Sequence, residues 1–368
     1  SEAGAYFTVI ANPSLKWETQ ISTDIALEFG LFDCLTGTIE YFKKDSKDLL
    51  FDVSQPASVG VTSIIQNIGK VTNSGVEIEL DYNAFKNKDW SVSVGANATF
   101  VKNKIKNLPA TMKENGYISG SKKWLEGKSI YEFWLRQWHG VDPQTGDGLY
   151  VADVSKYNQG NIGTGDGNIT QSQFDEYKKT VVTIDGKELT NSYTYAKYDF
   201  SGSSIPDVFG GFNVRVSYKN FDLAAVFSYQ LGGQVLDTNY ATMMSMTEFG
   251  YAQSPDLLKA WKQAGDITEV PRIDNSAAHT TNIGQSYSTR WLTSSDYLNL
   301  RSVTIGYQFP KAWLSKVMLK SARLNLTAEN LFMLKARQGL NPMANYSGVT
   351  YNEYMPSRNI TLGLNVSF

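Results

Sequence analysis

A chain of 368 residues, 42% hydrophobic and 19% charged, with a mean hydropathy of −0.30, has room for one large or two ordinary domains; it has the composition of neither a disordered chain nor a helical membrane protein. It contains no run of about 18 apolar residues, so no helix of this sequence can cross a bilayer. The net charge of −2 gives no footprint for a nucleic-acid partner.

Aromatic residues make up 13% against only 10 prolines, an excess that suits strand faces and interfacial girdles. Cys34 is alone, which rules out an internal disulfide and leaves it a small side chain near a strand end. The sequence opens on Ser1-Glu2-Ala3-Gly4 with neither an initiator Met nor a signal peptide, so an exported protein of this sequence would lack its beginning.

In chain order, the first predicted strand spans 17–29, with Ile21, Thr23, Ile25, Leu27 and Phe29 on one face and Gln20, Ser22, Asp24, Ala26 and Glu28 on the other. A short turn leads to a strand over 35–43, and a long connection to one over 76–82. There Val76, Ile78, Leu80 and Tyr82 alternate with Glu77, Glu79 and Asp81. Three carboxylates on one strand face need water, which a filled lumen supplies. A turn at 86–88 is followed by a strand over 90–101. A hairpin is expected around 131–152, reversing at Asp142-Pro143-Gln144-Thr145-Gly146-Asp147-Gly148, and then a long polar loop over 153–207. The clearest hairpin pairs 212–218 with 221–231 across Lys219-Asn220. Residues 232–296 read as another excursion, with a short helix over 255–264. Strands over 300–309 and 322–331 precede the last.

That last segment, 358–368, alternates Ile360, Leu362, Leu364, Val366 and Phe368 with Asn359, Thr361, Gly363, Asn365 and Ser367. Such a strand separates two solvents, and an aromatic final residue suits a closing barrel strand. Short and long connections alternate along the chain, as periplasmic turns and extracellular loops do in outer-membrane barrels. With short turns on the periplasmic side, Phe368 falls at the periplasmic rim. The expectation is therefore an all-β, transmembrane antiparallel β-barrel segment with long extracellular loops. Its count of about eleven strands is odd where complete bacterial barrels are even, so it reads as the C-terminal half of a barrel.

The residues also resemble a family. Asn12-Pro13-Ser14-Leu15-Lys16-Trp17-Glu18, Lys47-Asp48-Leu49-Leu50, the run from Asn67 through Glu77, Glu126-Gly127, Gly140-Val141-Asp142-Pro143, Pro206 with Phe209-Gly210-Gly211-Phe212, Tyr297-Leu298-Asn299-Leu300-Arg301, Gly306-Tyr307-Gln308-Phe309-Pro310 and Glu329-Asn330-Leu331-Phe332 look like the ordered motifs of SusC-like TonB-dependent transporters, across nearly the whole chain. The resemblance implies a bacterial outer-membrane, multi-pass importer with a plugged barrel of about 22 strands. It also implies a SusD-like surface lipoprotein as partner, a dimer of such pairs, and oligosaccharide uptake, with peptide import as the alternative. The plug and the segment that contacts the TonB complex have no counterpart in 1–368, all of which reads as barrel. A passive porin or barrel enzyme and a secreted β-rich binding module such as a carbohydrate-binding sandwich are the competing classes.

Candidate chemistry is thin. Motifs for metalloproteases, serine hydrolases and phosphate-binding loops are missing, and the only histidines are His139 and His279, so no enzyme and no cofactor is expected. Ser119 and Lys122 have Ser-x-x-Lys spacing without its companion motifs. Gly165-Asp166-Gly167-Asn168 has the look of a calcium loop, with Asp166 and Asn168 as the ligand candidates, but positions one and twelve would be Ile162 and Gln173, and a Gly-Asn turn fits better. The ligand-binding candidates are Trp124, Tyr131, Trp134, Arg136 and Trp138. Their aromatic faces could stack on sugars while Arg136 donates hydrogen bonds, or they could be girdle and wall residues. Trp17, Trp90 and Trp291 read as interfacial belt.

Overall fold

The computed structural model describes residues 11–54, 60–61, 63–67, 69–165, 167–245, 250, 252–274, 276 and 287–368. Among them, nine long strands follow one another in a single antiparallel meander: β1 Thr19–Leu31, β2 Leu35–Lys47, β3 Lys70–Lys86, β4 Trp90–Asn107, β5 Val208–Tyr218, β6 Phe221–Leu231, β7 Tyr297–Gln308, β8 Ser321–Glu329 and β9 Asn359–Ser367. The short segment Met333–Lys335 continues the pairing of β8 along β7, after a break where Asn330 takes a left-handed φ of 51°. The outer edges of β1 and β9 do not pair with each other.

Successive side chains of a strand point to opposite faces, so the register fixes which residues share a side. One outer row runs Val94, Val214, Ala225, Val303, Ala328, Ile360; the next runs Val92, Val216, Leu223, Ile305, Leu326, Leu362. The opposite face carries Glu28, Thr38, Glu79, Asn97 and Ser228 in one row, and Arg215, Ala224, Thr304, Thr327 and Thr361 in another. Large side chains of the apolar face are exposed: Ile25 is 65% and Leu362 69% exposed, and on β8 the exposed Leu324 and Leu326 alternate with the half-buried Asn325 and Thr327. A soluble sandwich buries its apolar face instead, and burying these side chains in lipid removes the exposure.

Polar side chains lace the other face. Asn103 Nδ2 donates to Asn73 Oδ1 at 2.7 Å, the Thr304 and Thr327 hydroxyls lie 3.0 Å apart, and Arg323 forms two 2.7 Å bonds with Asp222. At the short-turn rim the apolar face ends in aromatic pairs, Trp90 with Tyr218 at 4.3 Å and Phe221 with Tyr307 at 4.5 Å between ring centroids. Trp90 thus sits where a belt is expected, and Trp17 is 93% exposed just ahead of β1.

The links alternate in length, with 32–34, 87–89, 219–220 and 309–320 on one rim and 48–69, 108–207, 232–296 and 330–358 on the other. Among the described residues the wall thus has nine long strands rather than eleven, because the hairpin around 131–152 is not part of it. Trp138–Val141 and Gly148–Val151 do pair, but in a four-stranded sheet with Val181–Ile184 and Lys187–Thr190. Glu132–Arg136 joins another sheet, with Tyr117–Ser119, Lys122–Trp124 and Tyr198–Ser203. Within the 153–207 stretch, Gln171–Thr180 is a helix begun by a capping box between Thr170 and Gln173. The expected helix over 255–264 is a 3₁₀ turn, Pro255–Lys259, started by Ser254.

With the wall's large apolar side chains facing out, the buried clusters lie in the long links and at the strand ends that adjoin them, where Val71 of β3 and Ile105 of β4 pack with Leu108 and Met112. Phe133 and Leu135, Leu236 and Trp291, and Val349 pack into one core, so 108–207, 232–296 and 330–358 each contribute to it. Trp291 is 2% exposed, which corrects its belt assignment: it is a core residue, enclosed by partners distant in sequence. The same links are stitched by main chain, with Leu236 N donating to Gly348 O at 2.7 Å and Thr350 N to Leu236 O at 3.2 Å. Gly348 has a φ of 67°, and a Cβ there would lie 2.3 Å from Ser204 Cβ, so only glycine fits this junction.

Candidate functional site

The strand Glu132–Arg136 divides its residues by parity. Phe133 and Leu135 enter the core, leaving Trp134 and Arg136 together on the other face. The antiparallel register places Tyr198 opposite Arg136 and Phe200 opposite Trp134. Trp134 lies parallel to Tyr198, centroids 6.0 Å apart, and meets Phe200 edge-on at 4.9 Å. Lys123 Nζ sits 4.0 Å over Trp134 and Lys128 Nζ 4.7 Å over Phe200. The Arg136 guanidinium is sandwiched between Tyr193 at 3.3 Å and Tyr198 at 4.3 Å, and its Nη1 donates to the Tyr198 hydroxyl. Its Nε is buried without a hydrogen-bond partner among the described residues, an unfilled donor that costs about 1–3 kcal/mol until an acceptor arrives.

The series continues. Tyr193 meets Tyr150 edge-on at 5.9 Å, and Tyr150 faces its register partner Trp138 at 5.1 Å. Arg290 lies between Trp138 at 4.7 Å and Trp291 at 4.3 Å, Trp291 meets Tyr240 at 5.9 Å, and Arg337 covers Tyr240 at 3.6 Å. A connected series of cations and rings, with as many as three rings between successive cations, therefore runs from Lys128 to Arg337 through three long links. Each cation–ring contact contributes about 0.5–1 kcal/mol when exposed and about 2 kcal/mol when desolvated. Burial pulls the Arg290 guanidinium down to about 10, still charged at neutral pH, and pushes the Tyr193 phenol up to about 12.

At the Arg290–Arg337 end the series borders a cavity of about 370 Å³, within the size range of small-ligand sites. Trp138, Tyr240, Trp291, Arg290 and Arg337 line it, with the exposed His139 and Glu269 also on its wall. Arg337 is anchored by Nη1 to the buried Asp237 at 3.2 Å, and Asp237 also caps the helix Thr238–Met243.

Of the five candidates from sequence, Trp134, Arg136 and Trp138 belong to this series. Trp124 packs on the separate cluster of Val71, Ile105, Leu108 and Met112 and donates to Ile130 O at 3.1 Å. Tyr131 acts through its carbonyl, which accepts from Lys122 Nζ at 2.9 Å. Lys122 Nζ also donates to Ser204 Oγ at 3.2 Å and sits 3.2 Å over the Phe133 ring; burial pulls it down to about 7 against the opposing Glu132 carboxylate. Its Ser-x-x-Lys partner Ser119 is its hairpin register mate. Asp166 and His279 lie outside the described residues, while Asn168 N closes a turn onto Gly165 O at 3.0 Å. Sequence reasoning missed Lys123, Lys128, Tyr150, Tyr193, Tyr198, Phe200, Tyr240, Arg290 and Arg337. Only Tyr198 and Phe200 carried a local signal, a two-residue alternation inside a polar loop.

Residues 2–166 match a family model described as TonB dependent receptor-like, beta-barrel. The chain is 29% identical over 384 residues to TonB-dependent receptor P3 of Formosa agariphila, covering 99% of this chain and 36% of that receptor. To TonB-dependent receptor SusC of Bacteroides thetaiotaomicron it is 24% identical over 372 residues, covering 97% of this chain and 32% of SusC. The chain thus spans about a third of the length of the curated relatives it matches. Among solved structures, the RagAB peptide transporter superposes with a TM-score of 0.77 at 24% identity, covering 99% of this chain and 37% of that one. The RagAB peptide importer in its closed-closed state gives 0.77 at 25% identity, covering 98% and 36%. The nine-strand wall, its alternating links and these likenesses together make the chain similar to part of a TonB-dependent receptor β-barrel, with residues 2–166 matching the barrel model itself.

Proposed function

We propose that this chain forms wall and outer loops of a TonB-dependent importer in the bacterial outer membrane, one that takes up oligosaccharides with a SusD-like surface lipoprotein. The observation that carries the reading is the pairing of an exposed apolar wall with lobes on one rim only, lobes that hold the cation–ring series. Lipid accounts for the first and ligand capture for the second. Trp134, Arg136 and Trp138 are the ligand-facing residues in this reading; Trp124 and Tyr131 brace the lobe. Peptide uptake is the second reading, favoured by the match to a peptide importer. The test is accumulation of labelled maltooligosaccharide or oligopeptide by cells with and without the intact gene, each with and without a protonophore. Import that needs both the gene and the proton gradient is expected. Uptake that survives the protonophore would replace the importer with a passive pore. Co-purification of a surface lipoprotein in detergent checks the partner, and its absence from a stoichiometric complex removes that part of the proposal.

A further inference from the structure

We infer that the outward face of β2, β3 and β4, at the rim that carries the long links, is a seat for the phosphate of an anionic membrane lipid. Lysines there grip the head group while the acyl chains lie on the wall below. The register places the cations. Beyond the outward row Ile25, Tyr41, Val76, Phe100, the next row on that face reads Thr23, Lys43, Ser74, Lys102, and the one after it Ile21, Asp45, Thr72, Lys104. Alternation brings Lys106 to the same side, and the register partners Lys47 and Lys70 with it. Lys102, Lys104 and Lys106 are exposed, whereas Asn103 and Ile105 between them are buried against the 108–207 link, Asn103 through Ser129 and Ile105 through Leu108.

Charge and height both point to a head group. Asp45 is the one carboxylate in these rows, and it lies 3.4 Å from Lys43 Nζ and 3.5 Å from Lys70 Nζ. Among the described residues, no carboxylate pairs with Lys102, Lys104 or Lys106. Phe100 is ten residues along β4 from Trp90 of the opposite aromatic rim, which at about 3.4 Å per residue and a tilt near 45° is about 24 Å, the height of an apolar band. Lys102 therefore begins where the hydrocarbon ends, and its neighbours face sideways over the membrane surface. Lysine stems cover apolar wall while their ammonium ends reach into the head-group layer. Alternate residues of a strand are about 7 Å apart, and positions two strands apart about 10 Å, so the flexible stems of Lys43, Lys102 and Lys104 can close on one phosphate. The backbone beneath is fixed: Thr72 Oγ1 donates to Asp45 at 2.6 Å, and Gly127 N fills the free edge of β4 by donating to Ile105 O at 2.9 Å. The proposal needs the wall to face lipid and does not depend on what the barrel imports.

The test is native mass spectrometry of the intact protein, purified in a nonionic detergent, stripped of lipid and mixed with monophosphoryl lipid A or its dephosphorylated counterpart. The phosphorylated lipid should give about fivefold more one-lipid adduct at equal concentration, and the excess should shrink as ammonium acetate is raised. This comparison uses the unmutated protein and needs no variant to fold. Lys102→Gln, Lys104→Gln and Lys106→Gln together should bring the two lipids within about twofold of each other. Lys86→Gln with Lys88→Gln, a charge loss at the opposite rim, should keep the preference. Equal adducts from the two lipids overturn the proposal, as does a preference that survives the triple substitution or is lost to the same degree at the opposite rim. Glucosamine 1-phosphate, a head group without chains, should bind far more weakly than the lipid; equal affinity would overturn a lipid seat. Loss of a co-purifying protein from the triple variant with lipid retention unchanged would give the patch to a protein partner and overturn it too.

Discussion

Val303 and Thr304 are neighbours on β7 at one depth in the wall and point to opposite sides. Val303 sits in the apolar row between Ala225 and Ala328, and Thr304 in the polar row between Ala224 and Thr327. Val303 lies four residues from Tyr307 of the aromatic rim, which at about 3.4 Å per residue and a tilt near 45° places it about 10 Å inside. An apolar band about 25 Å tall puts that near its middle, where a lysine on the lipid side costs about 2–4 kcal/mol. Thr304→Lys gives up one hydroxyl contact with Thr327 and keeps its charge in water, for a loss of about 0.5–1.5 kcal/mol. Urea unfolding of the intact protein in phospholipid vesicles measures both. Val303→Lys should lower the midpoint clearly more than Thr304→Lys. Equal losses, or a larger loss at Thr304, would refute the assignment of the two faces to lipid and water.

Other outcomes follow from the lobes. Trp291→Ala empties a site 2% exposed and should cost about 3–5 kcal/mol, seen as rapid proteolysis within 232–296 while the wall stays heat-modifiable on gels; unchanged protease resistance would contradict its core role. Lys122 is held near 7 in the fold against 10.5 in the free side chain, so between these values the unfolded lobe binds a proton that the folded one has released. Stability should therefore rise with pH from about 7 to 10, by up to about 1.4 kcal/mol per unit, with the penalty fully present below 7. Melting of the lobe followed by near-ultraviolet circular dichroism at pH 7 and 9 tests this, and Lys122→Met should flatten the difference. Gly348→Ala combines a left-handed backbone with a collision at Ser204, and should lower that melting temperature by several degrees; no change would mean the junction yields.

Much of the wall was legible because its signal is local. The alternation at 212–218, 221–231 and 358–368 names both faces, and the structure keeps those faces. What the alternation did not show is how far the strands run. β2 continues through Lys43–Lys47, β3 begins at Lys70 and β4 ends at Asn107, because above the apolar band most side chains of both faces are polar, Val71 and Ile105 apart, and the period-two contrast fades while backbone pairing goes on. The 131–152 hairpin shows the opposite failure. Its alternation is real, but the same pattern serves a strand whose apolar side meets a loop core instead of lipid. Trp291 was misread for a related reason, since tryptophan near a strand start suits an interface and its enclosing residues lie as far away as Phe133 and Val349. The ring series was legible only where one short stretch of sequence carries it, at Trp134, Arg136 and Trp138. Its remaining members are brought together by pairing over 123–337, which no local window contains.

The core shared by Phe133, Trp291 and Val349 also bears on how the outer links of this chain can vary. Grafting a single outer link from a relative would leave two donors of that core facing a foreign third, with a void or a clash between them. Exchanging the three as a set keeps the packing intact and leaves the wall untouched. The three links of this chain are therefore exchangeable as a block, and chimeras cut at the upper ends of β4 to β9 should fold where one-loop swaps do not.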